Sequence, residues 1–286
     1  MNQRFDEMRL PCRLAMRNWN QQANACELEA ICLSLDMASA ETSPETAPET
    51  KVEPQAGTVV KPPRRKVTVG LVAKGLGLAV LAAWLLFALM LVALKVIDPP
   101  TTMVHMERRV QAWMHGKPYH ERYTFVPISQ ISPQMQHAVV AAEDARFYQH
   151  HGFDWHEIQI AADEDMEGGK HRGASTITQQ LVKNLFFGTN RSILRKGAEF
   201  TLVPVAEFVL GKQRILELYL NVVEWGPGIY GADAACENYY RTSAKSVGRD
   251  QAARLAAILP APLKRKPERM NEYSGLILER ERQMGW

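Results

Sequence analysis

A run of twenty residues without a charged side chain constrains this chain more than any other feature. It extends from Gly75 to Leu94 and reads GLGLAVLAAWLLFALMLVAL. A helix rising about 1.5 Å per residue would make it about 30 Å long, the thickness of a bilayer's hydrocarbon core. It exceeds the apolar core of a signal peptide, and no small-residue cleavage site follows it before Asp98. We predict an uncleaved membrane anchor; a buried core helix is the alternative.

The charges that flank this run predict its orientation. Lys95 and Asp98 follow it, whereas its N-terminal side is strongly basic, with Lys61, Arg64, Arg65, Lys66 and Lys74. Basic flanks stay on the cytoplasmic side of a membrane. We therefore expect a single-pass membrane protein, with its N-terminus in the cytoplasm and everything after about Val96 outside.

Composition divides the chain into three parts. Residues 1–66 form a cytoplasmic segment that we expect to be largely disordered, because residues 38–58 are rich in Pro, Glu, Thr and Ala. Residues 67–97 hold the anchor, and residues 98–286 form the external domain. Three cysteines precede the anchor and only Cys236 follows it, so we expect no disulfide and a packed Cys236.

The external domain is predicted to be mainly α. Ser132 and Pro133 are a typical helix start, as N-cap and first-turn residues. Apolar periodicity predicts helices over residues 103–115, 135–147, 175–186, 192–210, 214–222, 231–240, 249–259 and 268–284. The one strand candidate is residues 123–128.

A basic region in this domain suggests an anionic ligand. Residues 170–214 contain eight Lys or Arg but only Glu199 and Glu207 as acids, although the whole chain carries a net charge of just +3. That near-balance gives no argument for nucleic acid. The local asymmetry favours an anionic partner over a merely solvated face.

Two helices in this region carry polar groups at helical spacing. Ser175 and Thr176 would begin one helix, and Gln179 and Lys183 would follow on the face of Ser175, which makes an anion site. An ordinary capped helix with a solvated face is the alternative.

Arg191, Arg195 and Glu199 are likewise spaced four residues apart. An exposed Arg195–Glu199 pair is the simpler interpretation, although such pairs contribute only about 0.3–0.5 kcal/mol. Gly197 and Pro204 should weaken or kink this helix.

Glu143 and Asp144 end a helix whose preceding residues are apolar. A carboxylate at such a border can have its pKa raised by desolvation, as a general base requires. Acidic pairs at helix ends are common, so this pattern alone decides little.

Two other motifs lack the neighbouring structure or residues that their usual functions require. Gly226, Gly228 and Gly231 spell GxGxxG, but a helical segment precedes them instead of a strand, which indicates a tight turn. His150 and His151 lack a second ligand pair, so we predict no metal site there.

The blocks EDARFYQHHGFD, RGASTITQQLVKN, RKGAE, KQRILELYLN and GPGIYGADAACENYY resemble, in order, those of family 51 peptidoglycan glycosyltransferases. The resemblance covers about residues 126–267. No SxxK or KTG follows, so we expect the monofunctional type rather than a bifunctional penicillin-binding protein.

The resemblance implies a lysozyme-like fold that polymerises lipid II in cell-wall biogenesis, and with the predicted anchor it implies a location in the bacterial inner membrane with the catalytic domain in the periplasm. Its donor would be a glycan strand on undecaprenyl diphosphate, which is released as an inverting attack forms a β-1,4 bond. Glu143 would take the proton from the acceptor hydroxyl. Glu199 would assist at the diphosphate, directly or through Mg or Mn, with no cofactor obligatory.

The resemblance also implies the remaining site residues. The donor site would be lined by Ser175, Gln179, Gln180, Lys183, Arg191, Arg195 and Lys196, with Thr176 and Asn184 in the same block. Positioning or packing roles beside the substrate fall to Asp144, Phe147, Glu217 and Asn221. Residues 154–170 are acidic, so we expect residues 185–187 to dip into the membrane instead.

Two other functions stay open at this point. One is a membrane-bound lytic transglycosylase or lysozyme-like hydrolase, which would have no diphosphate to bind. The other is a non-catalytic division scaffold. The expected partners are lipid II, the lipid-linked strand and the membrane, with division or elongation proteins as further candidates.

Overall fold

The computed structural model describes residues 69–166, 173–190 and 192–286. This part of the chain contains nine α-helices, which confirms the mainly α class. They are α1 (Val69–Ala93), α2 (Met103–Met114), α3 (Pro133–Glu143), α4 (Trp155–Met166), α5 (Ile177–Phe186), α6 (Ile193–Val222), α7 (Ala232–Tyr240), α8 (Arg249–Ala256) and α9 (Asn271–Gln283). Short 3₁₀ turns cover Ile128–Gln130, Phe147–Gln149 and Pro267–Arg269. The segment before residue 69, expected to be disordered, lies outside the described residues.

Helix α1 is long and apolar enough to cross a membrane. Its apolar stretch, Gly70–Ala93, spans 24 residues, and only 6% of its most apolar window is buried by the rest of the protein. A core helix would be covered on most sides, so the buried-helix alternative does not fit. The large side chains of its first half, such as Leu76 and Leu78, are exposed, which favours a lipid environment.

The second half of α1 packs against the external domain. The Trp84 indole Nε1 donates a 3.0 Å hydrogen bond to Thr201 Oγ1 on α6. The Phe87 ring lies 5.1 Å from that of Phe186 and 5.7 Å from that of Phe187. Leu185 and Phe186 are buried, and the rings of Phe186 and Phe187 lie against α1, so these residues do not offer an open apolar face to lipid; that residues 185–187 enter the membrane stays a prediction.

The most exposed apolar side chains of this region lie instead on α6. Ile193 is 91% exposed, Leu194 87% and Phe208 91%. They share α6 with Thr201, which contacts α1 at Trp84, and so they lie on the helix that runs alongside the anchor. This apolar surface is the better candidate for lipid contact.

Arg214 fixes the point at which the chain leaves α1. Its Nε donates to the Leu94 carbonyl at 2.9 Å, and its Nη2 donates to the Ile97 carbonyl at 3.1 Å and to Asp98 at 2.8 Å. Carbonyls at a helix C-terminus lack intrahelical partners, and a cation there is favourable. The anchor is thus held to the domain by a charged side chain as well as by apolar packing.

Helix α6 covers both of the helices predicted over residues 192–210 and 214–222, with a kink between them. The break falls at Gly211, whose φ of 72° and ψ of 163° are not helical. Gly197 and Pro204 lie inside the helix at helical backbone angles, and the weakening or kink expected from them stays a prediction. Packing of this helix against α1 and α5 supplies the stability that its sequence lacks.

A three-stranded sheet lies beside the helices, in the order β1–β3–β2. Strand β1 (Arg122–Tyr123) pairs parallel to β3 (Ile229–Tyr230), and β2 (Glu224–Gly226) pairs antiparallel to β3. The predicted strand over 123–128 is therefore mostly wrong. The glycine turn is confirmed: Gly228 has a φ of +73°, and an added Cβ would lie 2.5 Å from the His120 carbonyl oxygen. Cys236 is buried, as expected.

Candidate active site

Glu143 is the last residue of α3, and its two carboxylate oxygens differ. Oε2 accepts a 2.7 Å hydrogen bond from the Gln180 amide, whereas Oε1 is buried and has no hydrogen-bond partner among the described residues. Burial raises the pKa of Glu143, partly offset by the Gln180 hydrogen bond and by the charges of Lys183 and Arg265. A carboxylate with a raised pKa and one free oxygen is suited to accept a proton.

Asp144 joins the end of α3 to the start of α5. Its Oδ1 accepts from His150 Nε2 at 2.9 Å, and its Oδ2 accepts from the Ile177 backbone N–H at 3.0 Å. Both oxygens are thus used inside the protein. Asp144 fixes the place of Glu143 relative to α5, which carries Gln180.

Asp144, His150 and Asp154 form a cluster whose ligand-type atoms lie within 4.8 Å of one another. His150 Nδ1 accepts the Gly152 N–H at 3.2 Å, so the ring proton lies on Nε2, which donates to Asp144. A metal ion would need the lone pair of that same Nε2. The hydrogen bonds therefore favour a His–Asp pair over a metal ligand set.

The start of α5 differs from the predicted one. Thr176 is the N-cap and Ile177 the first residue, and Gln179 folds back so that its Oε1 accepts from the Thr176 N–H at 2.9 Å. Gln179 and Thr176 are both buried and form this capping box, so the predicted anion-binding face of Ser175, Gln179 and Lys183 is wrong for Gln179. Ser175, just before the helix, lies exposed on the wall of the cleft.

Lys183 is close enough to both glutamates for their charges to act on it. Burial lowers its pKa, while the charges of Glu199 and Glu143 both raise it. Among the described residues no carboxylate is within 4.0 Å of its ammonium. A cation that is partly desolvated and lacks an ion-pair partner is well suited to an anionic ligand.

Glu199 is 2% exposed and lies among cations. Its Oε1 is 3.1 Å from Arg195 Nε, and its Oε2 is 3.2 Å from Lys196 Nζ. The alternative interpretation of Arg195 and Glu199 as an exposed pair is therefore wrong, because the Glu199 carboxylate is buried. Arg191 lies outside the described residues.

Four of the predicted site residues do not line the cleft but pack in the core or join the segments around it. Phe147 is fully buried in the core, and Asn184 is buried in α5. Glu217 Oε1 accepts the Ile128 N–H at 2.6 Å, and the Asn221 side chain bonds both the N–H and the carbonyl of Val126 at 2.9 Å. They hold α6 against the segment that leads into α3.

A cleft of about 640 Å³ opens beside Glu143. Predicted site residues on its wall are Glu143, Asp144, Ser175, Thr176 and Gln180. Another part of the wall is formed by residues near the C-terminus that the sequence did not single out: Pro260, Arg265, Tyr273 and Arg280. The basic run Lys264 to Lys266 was a signal for Arg265, whereas nothing local singled out Arg280 on α9.

Comparison with known proteins decides the family. The model of the family described as "Transglycosylase" matches residues 108–282, a range that contains the residues lining the cleft and both glutamates. The chain belongs to the transglycosylase family. The predicted family, the lysozyme-like fold class and the prediction of a glycosyl-transferring enzyme are thereby confirmed, and neither the lytic hydrolase nor the scaffold is favoured.

Transglycosylases of the genus Pseudomonas are similar over most of the domain. The "biosynthetic peptidoglycan transglycosylase" of Pseudomonas fluorescens (strain SBW25) is 46% identical over 181 residues, 63% of this chain and 75% of the relative. Proteins of the same name from Pseudomonas entomophila (strain L48) and Pseudomonas aeruginosa (strain PAO1) are 42% and 44% identical over 196 and 180 residues. Those matches cover 67% and 63% of this chain and 83% and 78% of the relatives.

Proposed function

We propose that this membrane-anchored transglycosylase polymerises lipid II into β-1,4-linked glycan strands, with Glu143 as the general base. The observation that carries the proposal is the buried Oε1 of Glu143, which has no hydrogen-bond partner among the described residues, on a residue that lines the cleft; the charge of nearby Lys183 acts on Glu143, and those of Arg195 and Lys196 act on Lys183. The names of the relatives, biosynthetic peptidoglycan transglycosylases, support peptidoglycan synthesis as the process.

The reaction joins an acceptor hydroxyl to the anomeric carbon of the donor. The hydroxyl proton passes to Oε1 of Glu143 as its oxygen attacks, and the bond from the anomeric carbon to the diphosphate oxygen breaks. The bonding pair leaves with the diphosphate. Attack from the face opposite the leaving group inverts an α-linked donor to a β bond.

Cations near Lys183 can stabilise the leaving diphosphate. Lys183 has no ion-pair partner among the described residues, and Arg195 and Lys196 are held beside it by Glu199. Lys183, Arg195 and Lys196 outnumber the two carboxylates whose charges act on Lys183, those of Glu199 and Glu143, which leaves a positive excess. Charge held in place before the reaction stabilises the transition state without reorganisation of the site. In this proposal Glu199 positions the cations.

A divalent ion at Glu199 does not fit these contacts well. Both of its oxygens are within ion-pair distance of a cation, Arg195 for one and Lys196 for the other. A bound Mg or Mn would have to displace both. We therefore assign neutralisation of the diphosphate to side chains and derive no step through a metal.

The membrane supplies a lipid-linked substrate to this site. Helix α6 carries both Glu199 and the exposed apolar side chains Ile193, Leu194 and Phe208, alongside the anchor. A donor whose lipid stays in the bilayer could thus present its diphosphate to α6.

We propose that the N-terminus is cytoplasmic and the domain periplasmic, as the basic flank of the anchor predicts. That division or elongation proteins bind this protein stays a prediction.

The direct test is to incubate the full-length protein in detergent micelles or vesicles with labelled lipid II. We expect high-molecular-weight glycan and release of the lipid diphosphate. Cleavage of finished peptidoglycan in place of polymer formation would support the lytic alternative and overturn the proposal.

A further inference from the structure

Behind the cleft, a buried tyrosine is linked to Glu143 through one intervening side chain. Tyr219, on α6, is fully buried, and its hydroxyl donates a 2.9 Å hydrogen bond to Gln180 Oε1. Gln180 Nε2 in turn donates the 2.7 Å hydrogen bond to Glu143 Oε2. Two consecutive hydrogen bonds therefore join α6 to the end of α3.

The chemistry of the three groups fixes the direction of this chain. An ionised carboxylate only accepts hydrogen bonds, so the amide nitrogen of Gln180 must face Glu143 and its oxygen must point away. The Tyr219 hydroxyl is the donor that meets that oxygen. Burial raises the pKa of Tyr219 well above its ordinary value of 10.0, so the hydroxyl keeps its proton and remains a donor.

Without this hydroxyl the orientation of Gln180 would be less well defined. The other contact of the amide nitrogen is a 3.4 Å hydrogen bond to the Ser175 carbonyl, which is long and places no donor on the amide oxygen. The oxygen would lose its donor, and the amide could rotate away from Glu143. Buried acceptors without a donor are unfavourable, which is why such networks rigidify the groups they contain.

We propose that Tyr219 is a positioning residue for glycosyl transfer. Acting through Gln180, it holds Oε2 of Glu143 and leaves Oε1 turned toward the acceptor hydroxyl. This inference rests on the proposed function, in which Glu143 is the base. Tyr219 itself is not among the residues that line the cleft, so it would act on the reaction only through Gln180.

The Tyr219→Phe variant of the full-length protein tests the proposal through its pH profile. The hydrogen bond from Gln180 lowers the pKa of Glu143, so its weakening should raise that pKa. We expect the acid limb of kcat/KM to move up by about one pH unit, with most of the lost activity regained at high pH. A merely structural role would lower the rate equally at every pH, and that result would overturn the proposal.

A double-mutant cycle tests whether Tyr219 acts through Gln180. Gln180→Leu should shift the acid limb in the same direction, and adding Tyr219→Phe to it should change nothing further. Additive effects, or an unshifted acid limb in Gln180→Leu, would overturn the relay even if Tyr219→Phe failed to fold. Tyr239→Phe is the matched control, because it removes a 3.1 Å tyrosine hydrogen bond to the Trp225 carbonyl away from the cleft.

These outcomes are separable from failure of the proposed function. If Glu143→Gln retained activity, Glu143 would not be the base and the proposed function would fail. If Glu143→Gln were inactive while Tyr219→Phe kept a normal pH profile, only the role of Tyr219 would be lost.

Discussion

Arg195 forms an ion pair with the buried carboxylate of Glu199: Nε lies 3.1 Å from Oε1, and the Arg195 side chain is 16% exposed against 2% for Glu199. Removing one partner of such a pair leaves a desolvated charge, which typically costs about 3–5 kcal/mol. Lys196 would still contact Glu199, so we expect Arg195→Ala to lower the stability by about 2–3 kcal/mol, less than the full effect of leaving a buried charge unpaired. Thermal unfolding of the purified protein measures it.

The matched control for this prediction is Arg254→Ala. Arg254 pairs with Asp250 at 2.7 Å and with the same four-residue spacing, but Asp250 is largely exposed. Exposed pairs contribute less than about 1 kcal/mol. Equal destabilisation by the two variants would show that burial of Glu199 does not matter.

Lys183→Ala should weaken use of the diphosphate-linked donor. Lys183 is partly desolvated and close to both glutamates, so its charge would act on the leaving group. Removing one charge from such a site is expected to cost about 2–4 kcal/mol in the transition state. Steady-state kinetics with labelled lipid II measures the loss. Lys264→Ala, an exposed lysine, is the control, and the same loss for a diphosphate-free sugar ligand would contradict the assignment.

The pH dependence should report the environment of Glu143. Its carboxylate must be ionised to act as a base, and burial raises its pKa above the ordinary 4.5, so activity should fall as pH drops through a value above 4.5. The charge of Arg265 lowers this pKa, so Arg265→Ala should move the acid limb further up.

Arg269→Ala is the control for the pH experiment. Arg269 lines a neighbouring depression with Arg265 but is not on the wall of the cleft. Its removal should leave the acid limb in place. An unshifted limb in Arg265→Ala would mean that its guanidinium does not act on Glu143.

Topology can be tested with reporters fused after Trp286. We expect a reporter that works only in the periplasm to be active and one that works only in the cytoplasm to be silent. Lipid-linked donors on the outer face would otherwise not meet the cleft. The opposite pattern would contradict both the orientation and the assignment of substrate.

Local signals in the sequence predicted the parts of the protein that depend on neighbouring residues. The apolar run predicted α1, and the glycine spacing predicted the turn at Gly228. Thr176 and Gln179 show the limit of such signals: they were assigned to substrate, yet three residues of separation also make a capping box. A motif does not reveal whether its polar groups face a ligand or the backbone.

Contacts between distant segments could not be predicted in the same way. Tyr219 reaches Gln180 across 39 residues, and Arg280 reaches the Ala141 carbonyl across 139. Phe186 was expected in lipid because nothing in its own segment indicates that Phe87 covers it. Such relationships depend on how α6, α9 and α1 pack, which no single stretch encodes.

The central claim is that Glu143 takes the proton from the acceptor, and Glu143→Gln tests it most directly. The amide has nearly the same shape but cannot accept the proton, and loss of a general base typically lowers the rate by about 10²–10⁴. The decisive measurement is turnover of labelled lipid II by this variant, alongside its binding of the same substrate. We predict loss of polymer formation with binding retained; turnover near that of the unmodified protein would contradict the account.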